Sequence, residues 1–113
     1  DGAGVLAAAD GSWHGAPEDT VVGHVHLQVG DLAAAEAFYA QQLGFDVTYR
    51  LPGALFLGAG GYHHHIAVNE WMSAGAGRRS ERETGLDFVQ LVRRDGGSPT
   101  TFEDDWGTTI RLG

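Results

Sequence analysis

From Gly23 to Val29 the chain reads GHVHLQV, and apolar and polar residues alternate without a break. Val25, Leu27 and Val29 fall on one side, with His24, His26 and Gln28 on the other. That period of two predicts a strand with one apolar and one polar face. The pattern then lengthens. In GDLAAAEAFYAQQLG, Leu32, Ala35, Phe38, Tyr39, Gln42 and Leu43 recur at spacings of three and four. Asp31 stands where an N-cap belongs and Gly44 where a helix ends on a left-handed residue. An amphipathic helix is expected, its apolar stripe covering the apolar face of the strand before it.

Shorter runs follow. FDVTYR (Phe45–Arg50) is rich in strand formers, LPG makes a turn, ALFLGAG gives a third strand and HHHIAVNEW a fourth. SAGAGRRSERETG is a polar, Gly-rich loop. LDFVQLV (Leu86–Val92) is a fifth strand, and TFEDDWGTTIRLG reads as a last hairpin about Trp106 and Gly107. Only about eight residues join Val92 to Thr101, too few for a helical crossover. The order is therefore β-α-β-β-β followed by a shorter unit without a helix. It gives an α+β domain over residues 21–113, with a module at 21–71 and an incomplete second one at 85–113. Residues 1–20, rich in Ala, Gly, Asp and Pro, read as a linker or a frayed terminal helix.

Composition narrows the function. The net charge is −8, with no Lys and seven Arg, which argues against nucleic acid as a partner. There is no Cys, so disulfides, thiolate metal sites and Cys nucleophiles are excluded. No apolar run approaches the roughly 20 residues a bilayer span needs, and the opening DGAGVLAAADG lacks a basic n-region. A cytoplasmic protein without a membrane partner is the expectation.

Taken together, GHVHLQVGDLAAAEAFYAQQLGFDV resembles the opening of a βαβββ module of the vicinal oxygen chelate superfamily. That group includes glyoxalase I, extradiol ring-cleaving dioxygenases, and fosfomycin and bleomycin resistance proteins. ALFLGAGGYHHHIAVNEW resembles, more narrowly, the second domain of two-domain catechol-2,3-dioxygenase-like proteins, and DDWGTTIRL resembles the superfamily's terminal hairpin. The resemblance implies two modules pairing into a cup around a divalent metal, held by His or Gln and a Glu. In the extradiol enzymes that metal is Fe(II) or Mn(II), left open to a catecholate and O₂. A small aromatic ligand is then the partner, with a homodimer or pairing with an N-terminal domain outside this chain.

The same resemblance makes His24 the first-strand metal ligand and His64 the acid/base, with His65 as the alternative. His26, Tyr62 and His65 would face the substrate. Asp87 stands where a second metal His belongs, and Arg111 where the Glu ligand belongs. Glu70, Asp87, Glu103, Asp104 and Asp105 are the other carboxylates considered for that place. Three readings stay open: a dioxygenase completed by another module, a metal-independent binding or resistance module, and a glyoxalase-like isomerase. The residues also have plainer readings. Alternation would put His64 with Ile66 and Val68, and His63 and His65 with Ala67 and Asn69. Tyr62 would pack at a strand end, Gly58–Gly61 would bend or bulge the sheet, and Glu103–Asp105 would form a solvated turn.

Overall fold

The computed structural model describes residues 1–113. Alternation from Gly23 to Val29 yields β1 (Val25–Gln28), with Leu27 and Val29 buried and His24, His26 and Gln28 exposed. Helix α2 begins at Leu32, its first turn capped by the Asp31 carboxylate, which accepts from the Ala34 N–H at 2.7 Å. After Glu36 the expected α-helix widens into a π-helix over Ala37–Gln42. The wider turns still bury Ala35, Phe38 and Tyr39 (Gln42 stays exposed), and Gly44 closes the element at φ +85°. A short α1 (Gly2–Ala7) precedes these elements and buries nothing. No helix is long and apolar enough to cross a membrane.

Strands β2 (Asp46–Leu51), β3 (Ala54–Gly58) and β4 (Ile66–Asn69) complete a sheet ordered β1-β4-β3-β2. Here β1 runs parallel to β4, and the other pairs are antiparallel. Strands β5 (Phe88–Leu91), β6 (Thr100–Glu103) and β7 (Thr109–Leu112) form a second sheet ordered β5-β7-β6. Its β5–β7 pair is parallel and its β6–β7 pair antiparallel, repeating the β1-β4-β3 arrangement without the helix or an outer strand.

One core serves both sheets. Leu27, Val29, Leu55, Leu57, Ile66 and Val68 meet the helix residues Phe38 and Tyr39, and Val89, Trp106 and Ile110 of the second unit join the same cluster. Asp104, expected in a solvated turn, is instead only 3% exposed. Its carboxylate accepts from the Tyr39 hydroxyl at 2.8 Å and from the N–H groups of Trp106 and Thr108 at 3.0 and 2.7 Å. A buried charge persists where such donors surround it, and here they tie the hairpin to the helix. Burial and the neighbouring Asp104 carboxylate both push the Tyr39 hydroxyl far above its ordinary value.

Candidate functional site: a histidine-rich sheet face

The face of the first sheet turned away from the helix is open to solvent. His26 on β1 is level with Ala67 on β4, and Ala67 with Phe56 on β3. The His26 and Phe56 rings stand 6.2 Å apart across that small residue. Tyr49 on β2 lies 6.2 Å beyond Phe56, and Trp71, just after β4, lies 6.0 Å from His26.

The three histidines are not part of the fourth strand, as alternation had it. They occupy a bend before Ile66, set up by the turn after β3. Gly60 and Gly61 take positive φ there, and a Cβ on Gly58 would sit 2.2 Å from the Tyr62 carbonyl oxygen. Gly58 is thus the last residue of β3, and Ala59–Gly61 bend the chain into the β3–β4 turn rather than bulging within the sheet. At the bulge between Val47 and Tyr49, the Thr48 hydroxyl donates to the His63 carbonyl at 2.5 Å. The His65 N–H donates to the Leu57 carbonyl at 2.8 Å, and the His65 carbonyl accepts from the Val25 N–H at 3.0 Å.

Held between those anchors, His64 turns to the open face and not to the side of Ile66 and Val68. Its ring packs at 4.4 Å from His24 and edge-on to Phe56 at 5.1 Å. His63 Nδ1 faces His64 Nδ1 at 2.7 Å. Burial first, then the charges of His24, His63, His26 and His65, hold His64 below the usual imidazole value. A neutral imidazole at pH 7 can take a proton from an acidic hydroxyl.

The remaining expected residues divide. His26 joins His24 and His64 on the open face. His65 and Tyr62 do not: their rings pack on each other at 4.7 Å, and His65 also lies against Phe45. Both line a cleft of about 1120 Å³ between the two units, together with His24, Val89, Leu91 and Arg93. The carboxylates considered as replacements are engaged elsewhere or solvated. Glu70 accepts from the Leu32 N–H at 3.2 Å, Glu103 pairs with Arg78, and Asp87 and Asp105 are exposed. Sequence reading missed Asn69 and Trp71. Asn69 donates its amide to His26 Nε2 at 2.9 Å, and the only signal for it was its place beside Ala67 in the strand pattern.

On the second sheet, Gln90 is level with Arg111, and the Arg111 guanidinium lies 3.6 Å over the Phe88 ring. A cation stands where the resemblance calls for an anionic ligand. No three His, Cys, Asp or Glu side chains are arranged to hold a metal ion. Of the expected Fe(II) or Mn(II) ligands only the His24 imidazole is present, with Asp87 in place of the second His and Arg111 in place of the carboxylate, so within this chain the set does not fit a complete centre.

Known proteins share this sequence and fold. Residues 21–81 match the family model of the Glyoxalase/Bleomycin resistance protein/Dioxygenase superfamily. A catechol-2,3-dioxygenase of Bacillus subtilis (strain 168) is 47% identical over 78 residues, which are 67% of this chain and 27% of that protein. This chain therefore spans about a quarter of its curated relative's length. A lactoylglutathione lyase from Agrobacterium tumefaciens superposes with a TM-score of 0.58 at 16% identity, covering 87% of this chain and 95% of the other. TnmS3, an antibiotic binding protein from Streptomyces sp. CB03234, gives 0.54 at 21%, covering 87% and 98%. Those two likenesses concern the fold alone. With its matched stretch carrying the βαβββ sheet and the His24–His64 face, the chain belongs to the glyoxalase/bleomycin resistance/dioxygenase superfamily, the vicinal oxygen chelate fold.

Proposed function

We propose that this chain carries the imidazole side of the site of an extradiol-type dioxygenase, an oxidoreductase that opens the ring of a catechol-like substrate. The observation that carries the reading is the His24–His64 pair beside Phe56 on an open face. In it His24 is the metal ligand, His64 accepts and returns the substrate proton, and Phe56 supports the aromatic ring. Tyr62 and His65 serve the mouth of the site, through the cleft that they line with His24. The 47% identity to a catechol-2,3-dioxygenase supports the reaction class. Since residues 1–113 lack both the second His and the carboxylate, the complete centre requires both from a second subunit or from another domain.

Metal analysis of the full-length gene product, purified anaerobically, with oxygen uptake on catechol, tests this. Iron or manganese near one equivalent, lost together with activity in His24→Ala, is the expected result. Protein that holds no metal after reconstitution with Fe(II) or Mn(II) overturns it.

Arg111 over Phe88 favours a second reading: a metal-independent module that sequesters a small aromatic molecule, as a homodimer. That reading predicts ligand binding indifferent to a chelator. Isomerisation of a glyoxalase type is disfavoured, because Glu36, Glu70 and Glu103 are each bonded away from the histidine face.

A further inference from the structure

At the far end of the open face from His64, a second set of polar atoms is built in. Asn69 is buried, and its side-chain amide makes two contacts. Its Oδ1 accepts from the Trp71 N–H at 3.3 Å, and its Nδ2 lies 2.9 Å from His26 Nε2. A backbone N–H can only donate, so the amide oxygen must face Trp71. The amide nitrogen then faces His26 as a donor, and His26 Nε2 must accept. A neutral imidazole that accepts at Nε2 carries its hydrogen on Nδ1. No hydrogen bond within the chain occupies that Nδ1.

The walls beside it are also fixed. The Trp71 indole N–H donates to the Pro52 carbonyl at 2.9 Å. Gly53, at φ +79°, leaves room for the ring: a Cβ there would meet Trp71 Cδ1 at 2.5 Å. Phe56 stands on the other side of His26, and Ala67 is the small floor between them. The corner thus has two aromatic walls and an imidazole N–H that no group of the chain takes up, and no free cation is part of it.

We infer that this corner is a subsite for the end of a planar aromatic ligand remote from its reacting oxygens, with His26 as the substrate-positioning donor and Asn69 as the residue that sets its tautomer. The inference rests on the ring-cleavage reading for the oxygen end, at His24 and His64, and adds the substrate class. A ring whose hydroxyls lie at the His24–His64 end extends over Phe56 towards His26 and Trp71. The substrate is then a catechol whose distal substituent bears an uncharged acceptor, such as a carbonyl or ether oxygen. A carboxylate would gain one bond and no countercharge there.

Two measurements test this. Long-range proton–nitrogen NMR on the ligand-free protein reads the His26 tautomer directly. Hydrogen on Nδ1 is expected, moving to Nε2 in Asn69→Asp, whose carboxylate still accepts from Trp71 but can no longer donate to His26. Hydrogen on Nε2 in the wild type overturns the proposal whatever the protein catalyses. Titration calorimetry then compares a catechol carrying an acetyl group with the same catechol carrying isopropyl, a substituent of like shape without an acceptor. The acetyl compound should bind about tenfold more tightly, as one retained hydrogen bond allows. That preference should vanish in His26→Phe while isopropyl affinity holds within about twofold. Equal affinities in the wild type overturn the subsite and leave the ring-cleavage reading intact. If neither catechol binds, the ring-cleavage reading falls and this inference with it.

Discussion

The two sheets share a plan and differ in what they display. Each has a parallel pair flanked by an antiparallel strand, β1-β4-β3 and β5-β7-β6. The first keeps its helix and its outer strand, and its open face carries His24, His26, Phe56 and the adjoining His64. The second has neither, and its corresponding residues are Phe88, Gln90 and Arg111. Strand pairing needs only backbone groups and one apolar face, which Val89 and Ile110 supply. Its core does not need its own helix, because Tyr39 and Phe38 of the first unit lie in the same cluster. The second unit can thus lose helix and chemistry and keep its topology, provided the joint with the first unit holds.

That joint gives the largest expected effect. Asp104→Ala strands three buried donors at once, the Tyr39 hydroxyl and the N–H groups of Trp106 and Thr108. A loss of about 3–5 kcal/mol is expected, read from the urea midpoint at constant slope. A loss confined to near-ultraviolet signals of the hairpin, with the global midpoint unchanged, would show the two units to be independent. Next is Gly30→Ala. A Cβ there would sit 2.0 Å from the Ala76 carbonyl oxygen and 2.6 Å from Trp106 Nε1. The Trp106 indole donates to that same carbonyl at 2.9 Å, so the crowding prises the hairpin from the first sheet. About 1–3 kcal/mol is expected by thermal unfolding, with Trp106 fluorescence reporting the local change.

Tyr39→Phe sharpens the comparison through pH. The substitution leaves Asp104 two of its three donors and should cost about 1–2 kcal/mol at neutral pH. In the folded protein the hydroxyl value is raised, by burial first and by Asp104 second. A group whose folded value lies above its unfolded one stabilises fully below the unfolded value, about pH 10 for tyrosine, and loses that contribution as pH rises further. Wild-type stability should therefore fall steeply above about pH 10, while Tyr39→Phe lacks this component and the gap between the two closes. A gap constant from neutral to alkaline pH would show that Tyr39 ionises freely in the fold.

Residue periodicity made most of the first unit legible. The alternation around Leu27 and the helical stripe through Phe38 and Tyr39 each depend on neighbours within a few residues, and both faces emerged, with the helix widened to a π-helix after Glu36 and Gln42 left outside the stripe. What failed depends on distance or on aperiodic backbone. His64 faces His24 because of a turn and because Thr48 and Leu57 hold the chain on either side, so counting odd and even positions misplaced it. Asp104 looked solvated because its partner Tyr39 is 65 residues away. Asn69 declared itself only once β1 and β4 were in register, which sets Gln28 beside it and His26 within reach.

The smallest effect on stability answers the largest question about the second sheet. Removing the guanidinium from Phe88 in Arg111→Leu gives up a partly solvated cation–π contact, about 0.5–1 kcal/mol. Arg111→Glu gives up as much and places a carboxylate where the superfamily resemblance expects one. If the two sheet faces close on a common centre, that carboxylate joins the His24 imidazole and completes more of an oxygen-and-nitrogen donor set. Affinity for Mn(II), measured by calorimetry, should rise at least about tenfold over the wild type and return to it in Arg111→Glu with His24→Ala. A gain that survives loss of His24 would place the new carboxylate in a separate surface site. No gain at all would mean that the second sheet serves the first as a packing partner only, its cation–π pair closing a face that never meets the histidines.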